Sequence, residues 1–244
     1  MLASMTSIPR PVKVSVVYHG RCIEFFAGCG IWSTSMAAFG WSTSKVDFLN
    51  GPQFNLADDK VVDSYCCQLR SGLYRCVRIA TECTTFSRGT RPPYRNNEHL
   101  YGIKQQSAER WAKTETGTKL ALNSIKLYKA AEFGRALVSW ENPAESMLWC
   151  LPEAETAVLQ KPWTFNMVTC YCRFGRPYRK RTRFISNFDS SSVCRQCNHK
   201  RHLVQLRGYN PEAGCLWTKS ANRYPRPLVM GMAKAATERM LGRK

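Results

Sequence analysis

Cys22-Ile23-Glu24-Phe25-Phe26-Ala27-Gly28-Cys29-Gly30 is the stretch whose reading decides the fold. A β-prone run stops at a turn carrying two glycines, and a helical pattern, Ile31 to Phe39, begins at once. Such a strand-turn-helix junction lets backbone amides approach a ligand closely and points a helix N-terminus at it. The spacing is Gly-x-Gly without a third glycine, which suits a nucleotide-like ligand but does not by itself specify a dinucleotide. Phe26, Ala27, Gly28, Cys29 and Gly30 are therefore candidate cofactor-binding residues.

Outward from this junction, strands and helices alternate. Upstream, Lys13 to Val17 is a second β-prone run, so the first core strand is Arg21 to Phe26 or both runs joined. Downstream, Trp41 to Phe48 reads as a strand ending in Val46-Asp47-Phe48, Asp58 to Gly72 as a helix, and Tyr74 to Ala80 as a strand. Arg88 to Asn97 has the composition of a loop. Ser107 to Phe133 suits a long helix or a helix pair leading into a strand at Ala136 to Trp140. Val168 to Cys172 and Arg183 to Ser186 are later strands, Ser190 to Lys219 is irregular, and Leu228 to Leu241 is a final helix. This alternation predicts an α/β fold: a Rossmann-like, mainly parallel sheet with helices on both faces, reached by right-handed crossovers. The expected organisation is a main domain at 1–187, a small basic Cys/His-containing lobe at 188–220, and a C-terminal helix at 221–244 that packs back on the main domain.

The chain has 244 residues and a formal net charge of +19, unevenly spread. From Cys170 onward, 17 Lys and Arg face Asp189, Glu212 and Glu238, so this segment carries +14 and the preceding 169 residues only +5. A basic segment on a nearly balanced domain is the footprint of a nucleic-acid binder, because neutralising phosphates releases counterions. A solvated basic surface is the plainer alternative. No apolar run is long enough to span a bilayer. Met1 to Val17 has the Ser, Thr, Arg and Lys content of a transit peptide, although an arm leading into the first strand is the preferred reading. Twelve dispersed cysteines without a secretory signal fit a reducing, intracellular compartment. Cys22, Cys66, Cys76 and Cys150, in apolar contexts, read as buried.

Two segments about sixty residues apart carry candidate chemistry. Glu82-Cys83-Thr84-Thr85-Phe86-Ser87 and Glu141-Asn142-Pro143 each follow an apolar strand-like run, so both are expected beyond the carboxyl ends of strands, where open α/β sheets bind ligands. A nucleophilic Cys83 needs partial exposure and help toward thiolate, which Arg88, Arg91 or a helix N-terminus would give and Glu82 would oppose. Taken alone, Cys83 reads first as a structural cysteine and second as a nucleophile, and Glu141 could merely cap a helix. Asp47, about twenty residues beyond the glycine turn, is placed to accept bonds from a ribose hydroxyl or is a plain surface residue.

Phe26-Ala27-Gly28-Cys29-Gly30, Cys83-Thr84-Thr85-Phe86-Ser87, Glu141-Asn142-Pro143 and Gly175-Arg176-Pro177-Tyr178-Arg179-Lys180-Arg181 occur in the order seen in DNA (cytosine-5) methyltransferases, and the chain resembles a divergent, compact member of that family. The resemblance spans Ile23 to about Asn187. It implies that the first motif binds S-adenosyl-L-methionine, beside which Asp47 is the candidate that spacing alone supplies. It further implies that Cys83 is the nucleophile, that Glu141 is the acid for the base, and that Arg179, Lys180 and Arg181 support the site. Departures are Glu82 where the family has Pro, Pro143 where it has Val, and Tyr178 to Thr182 in place of Gln-x-Arg-x-Arg. They keep open an inactive nucleic-acid-binding relative from a mobile element or virus, or an RNA methyltransferase, beside the enzyme acting on DNA.

Cys194-x-x-Cys197-x-His199-x-x-His202 offers four ligands of the types zinc prefers, with Cys215 as a substitute for one histidine. Incidental side chains in a basic loop are the alternative. Arg91-Pro92-Pro93-Tyr94 lacks the acidic or amide first residue of an amino-methyltransferase signature and reads as a rigid loop. Trp140, Trp149, Trp163 and Trp217 read first as core residues and second as stacking platforms for bases.

Overall fold

The computed structural model describes residues 18–242. The expected strand Lys13 to Val17 and the N-terminal arm lie outside them. Among the described residues, six strands form the main sheet: β1 (Arg21–Phe25), β2 (Ser42–Val46), β3 (Cys76–Ile79), β4 (Leu137–Pro143), β5 (Phe165–Cys170) and β6 (Arg181–Ser186). Their order is β2-β1-β3-β4-β6-β5. The β1–β2, β1–β3 and β3–β4 pairs are parallel, and only β6 is reversed, antiparallel to both β4 and β5. The fold is thus the mainly parallel, Rossmann-like α/β class that the alternation predicts.

Alternation within the strands assigns the two faces, since successive side chains point to opposite sides. Ile23, Phe25, Val77, Ile79, Val138 and Trp140 pack with Val62 and Leu69 of α2 (Asp59–Arg70) and with Ile125 and Leu127 of α3 (Ala108–Phe133). Cys22, Cys76 and Phe184 face the other way. There they meet Trp32 and Met36 of α1 (Ile31–Ala38) and Leu228, Val229 and Met232 of α6 (Arg226–Met240). α6 packs on α1, and Trp41 Nε1 donates to Thr237 Oγ1 of α6 at 2.9 Å, anchoring the C-terminal helix to the start of β2.

The Ser107 to Phe133 region is one 26-residue helix, Ala108–Phe133, the first of the two alternatives the sequence left open. Two local outcomes differ from the sequence reading. The 188–220 region is not wholly irregular. It holds a two-stranded hairpin, β7 (Tyr209–Asn210) and β8 (Cys215–Leu216), before the single turn α5 (Trp217–Ser220); a further short helix, α4, is Pro152–Ala154. Finally, β4 runs through Glu141, Asn142 and Pro143, which were expected beyond a strand end. The parallel ladder with β3 ends at Ile79–Trp140, but the reversed β6 continues the pairing through Glu141–Phe184 and Pro143–Thr182.

Where α2 ends against α3, Gly134 leaves no room for a side chain: an added Cβ would fall 1.9 Å from the Leu69 carbonyl oxygen. That contact is with backbone, so it cannot be relieved by a rotamer change. Gly134→Ala is expected to destabilise the fold by about 1–3 kcal/mol in urea unfolding, with the m-value unchanged.

Candidate active site

The glycine turn is built around two carboxylates. Glu24 of β1, buried, accepts from Ser33 N at 3.0 Å and Ser33 Oγ at 2.6 Å, so the strand itself caps the start of α1. Gly28 and Gly30 have positive φ (51° and 65°), as does Phe26 (59°), a conformation costly for a side-chain-bearing residue. Gly28 N donates to Asp47 Oδ2 at 2.7 Å, and Asp47 Oδ1 accepts from Leu49 N at 2.9 Å. Asp47 thus joins the end of β2 to the turn, and both of its oxygens keep a free lone pair. A Cβ added at Gly28 would meet nothing within 4 Å among the described residues, which leave the space over the turn open. Phe48 and Leu49, immediately after Asp47, are 62% and 84% exposed. Cys29 is exposed as well, whereas Ala27 is buried.

Cys83 sits at the head of a 3-10 turn, Thr84–Phe86, just past β3. The end of β3 is tied to β4 through Thr81: its carbonyl accepts from Asn142 Nδ2 at 2.7 Å and its hydroxyl from Trp140 Nε1 at 2.8 Å. The turn is pinned from the other side by buried Arg95. Its guanidinium donates to Thr85 O, Thr85 Oγ1, Thr114 O, Leu100 O and Thr118 Oγ1, and lies 3.9 Å from the Phe86 ring centre. The loop from Arg88 to Asn97 is therefore held against α3, and Tyr94 within it lies 3.8 Å beneath the Arg110 guanidinium.

Burial pushes the Cys83 thiol up to about 11; Lys180 opposes the rise, while Glu141 and Glu82 add to it. The sequence reading offered Arg88, Arg91 or a helix N-terminus as help toward thiolate, whereas the cation that bears on the thiol is Lys180. Arg88 is turned to Glu145 O and Asn97, and Arg91 to the carbonyls of Arg88 and Thr90. In the free protein, thiolate at Cys83 is expected about a hundredfold scarcer at neutral pH than for a thiol at the ordinary 9.0. Iodoacetamide labelling followed by peptide mass mapping should show the Cys83 rate climbing toward pH 11. Glu141→Gln should speed it and Lys180→Met slow it.

Glu141 is 6% exposed. Its Oε2 accepts from Tyr224 Oη at 2.8 Å, and that hydroxyl accepts from Arg78 Nη2 at 2.8 Å. Arg78, fully buried in β3, also donates to Ser139 Oγ at 3.2 Å. Burial favours loss of the Arg78 charge, but Tyr224, Glu141 and Glu24 outweigh it and hold the guanidinium above its ordinary value. Glu141 Oε1, by contrast, is buried and finds no hydrogen-bond partner among the described residues. Such an atom costs stability unless a ligand satisfies it. Neither Arg78 nor Tyr224 was a candidate from sequence. An arginine inside the apolar run Cys76-Val77-Arg78-Ile79 was the available signal; Tyr224 gave none.

The three basic candidates separate. Lys180 Nζ donates to Ala221 O at 3.1 Å and stands 4.9 Å over the Tyr171 ring. Arg181 is paired with Glu145. Arg179 is exposed and lines a cavity of about 530 Å³ with Lys200, Arg201, His202, Val204, Gln205 and Leu206. Arg183, passed over in the sequence, lies 5.6 Å from the Trp149 ring. Of the tryptophans, Trp140 and Trp149 are core, whereas Trp163 is 56% exposed.

All twelve cysteines are unpaired. Cys22, Cys66 and Cys76 are buried as expected, but Cys150 is exposed because its turn buries Met147, Leu148 and Trp149 instead. The Cys/His group assembles differently from the sequence reading. Cys197, His199 and His202 converge with Cys172, whereas Cys194 turns away to Val168 O at 3.3 Å and Cys215 belongs to β8. Among the described residues, no helix is long and apolar enough to cross a membrane.

No protein-family model and no curated protein matches the sequence. Among solved structures, the fold is similar to a methyltransferase of Entamoeba histolytica, EhMeth, with a TM-score of 0.41 and 15% identity over 76% of this chain. It is also similar to the Dnmt2 methyltransferase of S. pombe, with a TM-score of 0.42 and 13% identity over 74% of this chain. The chain spans little more than half of each, 56% and 57%.

Proposed function

We propose that this protein is an S-adenosylmethionine-dependent methyltransferase acting on carbon 5 of cytosine in nucleic acid, with DNA preferred over RNA. The observation that carries the reading is Glu141: a buried carboxylate with one oxygen anchored and the other free, close enough to Cys83 to raise its thiol. The open turn at Gly28 leaves room for S-adenosylmethionine, the remaining lone pairs of Asp47 can accept from its ribose hydroxyls, and exposed Phe48 and Leu49 offer apolar cover for its adenine. When bound, that cofactor supplies an electrophilic methyl group.

The remaining steps belong to this chain. A cytosine inside a duplex is unreachable, so it must be turned out of the stack. Cys83, once deprotonated, adds its sulfur to carbon 6, while the free oxygen of Glu141 holds a proton at ring nitrogen 3; carbon 5 thereby becomes nucleophilic. After carbon 5 is methylated, loss of its proton expels the Cys83 thiolate and restores the ring. Lys180, the cation bearing on Cys83, favours the thiolate form, and a base entering the site further alters the surroundings that hold it protonated. Arg179, Lys200 and Arg201 along the 530 Å³ cavity are the cations that nucleic-acid phosphates would meet in this reading.

A non-catalytic nucleic-acid-binding role on the same fold is the second reading, favoured by the high Cys83 thiol and by Glu82. Labelled methyl transfer to duplex DNA, single-stranded DNA and RNA separates the readings. Transfer to DNA ahead of RNA is expected. Binding of both cofactor and polymer without transfer would overturn the catalytic reading.

A further inference from the structure

We propose that Cys172, Cys197, His199 and His202 form a structural zinc site that clamps the basic C-terminal loop to the floor of the candidate active site. The inference is independent of the methyltransferase reading. One ligand atom from each residue lies within 4.8 Å of the others, with Cys197 Sγ 3.6 Å from His199 Nδ1 and 3.3 Å from His202 Nε2. A tetrahedral zinc with bonds of about 2.0–2.3 Å places its ligand atoms about 3.3–3.8 Å apart, so only small side-chain movements are needed to close the shell. Two thiolates and two imidazoles select zinc over magnesium or calcium, which take oxygen ligands.

The backbone around the four residues is already fixed on both sides. Cys170 N donates to Arg195 O at 2.9 Å, and Thr169 Oγ1 to Val193 O at 2.8 Å; beyond the group, Val204 N donates to Pro177 O at 3.1 Å. Two segments about 25 residues apart in sequence are thus brought together where the sulfur and nitrogen atoms converge. The surroundings supply a second reason. Arg173, Arg195, Lys200 and Arg201 crowd this loop, and two thiolates sharing one zinc form a neutral unit that adds no positive charge to it. Cys172 directly follows Tyr171, the ring under Lys180, and His202 lines the cavity with Arg179. A metal there would fix both the cation beside Cys83 and the basic cavity.

The test is metal content of the full chain purified without chelator, incubated with zinc chloride and desalted. About one zinc per chain is expected, falling to near zero in Cys172→Ser and Cys197→Ser and persisting in Cys194→Ser and Cys215→Ser. Cobalt replacement of the native chain should give the intense visible bands of a tetrahedral site with thiolate-to-metal charge transfer, a readout that does not depend on any variant folding. Zinc well below one per chain, no tetrahedral cobalt spectrum, or zinc lost with Cys194 but retained without Cys172 would overturn the proposal.

Discussion

Cys83→Ser is expected to lower methyl transfer more than roughly 10³-fold while leaving S-adenosylmethionine affinity unchanged, because the sulfur lies past β3 and the cofactor residues past β1 and β2. Serine keeps the volume and the turn but is a far weaker nucleophile at neutral pH. Glu141→Gln should lower transfer by about 10²–10⁴-fold, the range for loss of a general acid, since the amide cannot give up a proton to ring nitrogen 3. The same substitution removes a negative charge that raises the Cys83 thiol, so alkylation should speed up as catalysis falls. Opposite signs from one variant distinguish a chemical role for Glu141 from a merely structural one. Cofactor calorimetry beside the transfer assay measures both.

Arg78→Met should be the most damaging substitution for stability, at about 3–5 kcal/mol, the range for removing one partner of a buried charge pair. Arg78 is wholly buried, and Glu24 and Glu141 bear on it from the neighbouring strands. Without it two buried carboxylates share one face of the sheet with their cation gone, and Tyr224 Oη loses its donor. Tyr224→Phe should cost less, about 1–3 kcal/mol, because it removes a neutral hydroxyl and leaves the charges in place. Urea unfolding of both variants checks the order; equal losses, or a stable Arg78→Met, would mean that the guanidinium does not hold the network.

The parts of this molecule visible in its sequence are those encoded in short strings. The junction at Gly28 and Gly30, the strand before Cys83 and the alternation of strands with helices depend on neighbours a few residues apart. What sequence did not reveal depends on distant pairings. Tyr224 reaches Glu141 across 83 positions and Arg78 across 146, and nothing around Tyr224 marks it as a site residue. The extension of β4 through Glu141 follows from a reversed neighbour, β6, whose direction no local pattern announces. Cys194 has the better spacing to Cys197, yet Cys172 has the better position, because the end of β5 brings it to the loop that carries Cys197, His199 and His202. Likewise Arg88 and Arg91 are nearest to Cys83 in sequence, while Lys180, almost a hundred residues on, is the cation whose charge reaches it.

If Cys83 and Glu141 act together on one cytosine ring, nucleoside mass spectrometry of a DNA duplex incubated with the protein and S-adenosylmethionine will show it. The native chain should yield 5-methylcytosine and Cys83→Ser none. Methyl groups on an exocyclic amine, or an equal yield from Cys83→Ser, would contradict it.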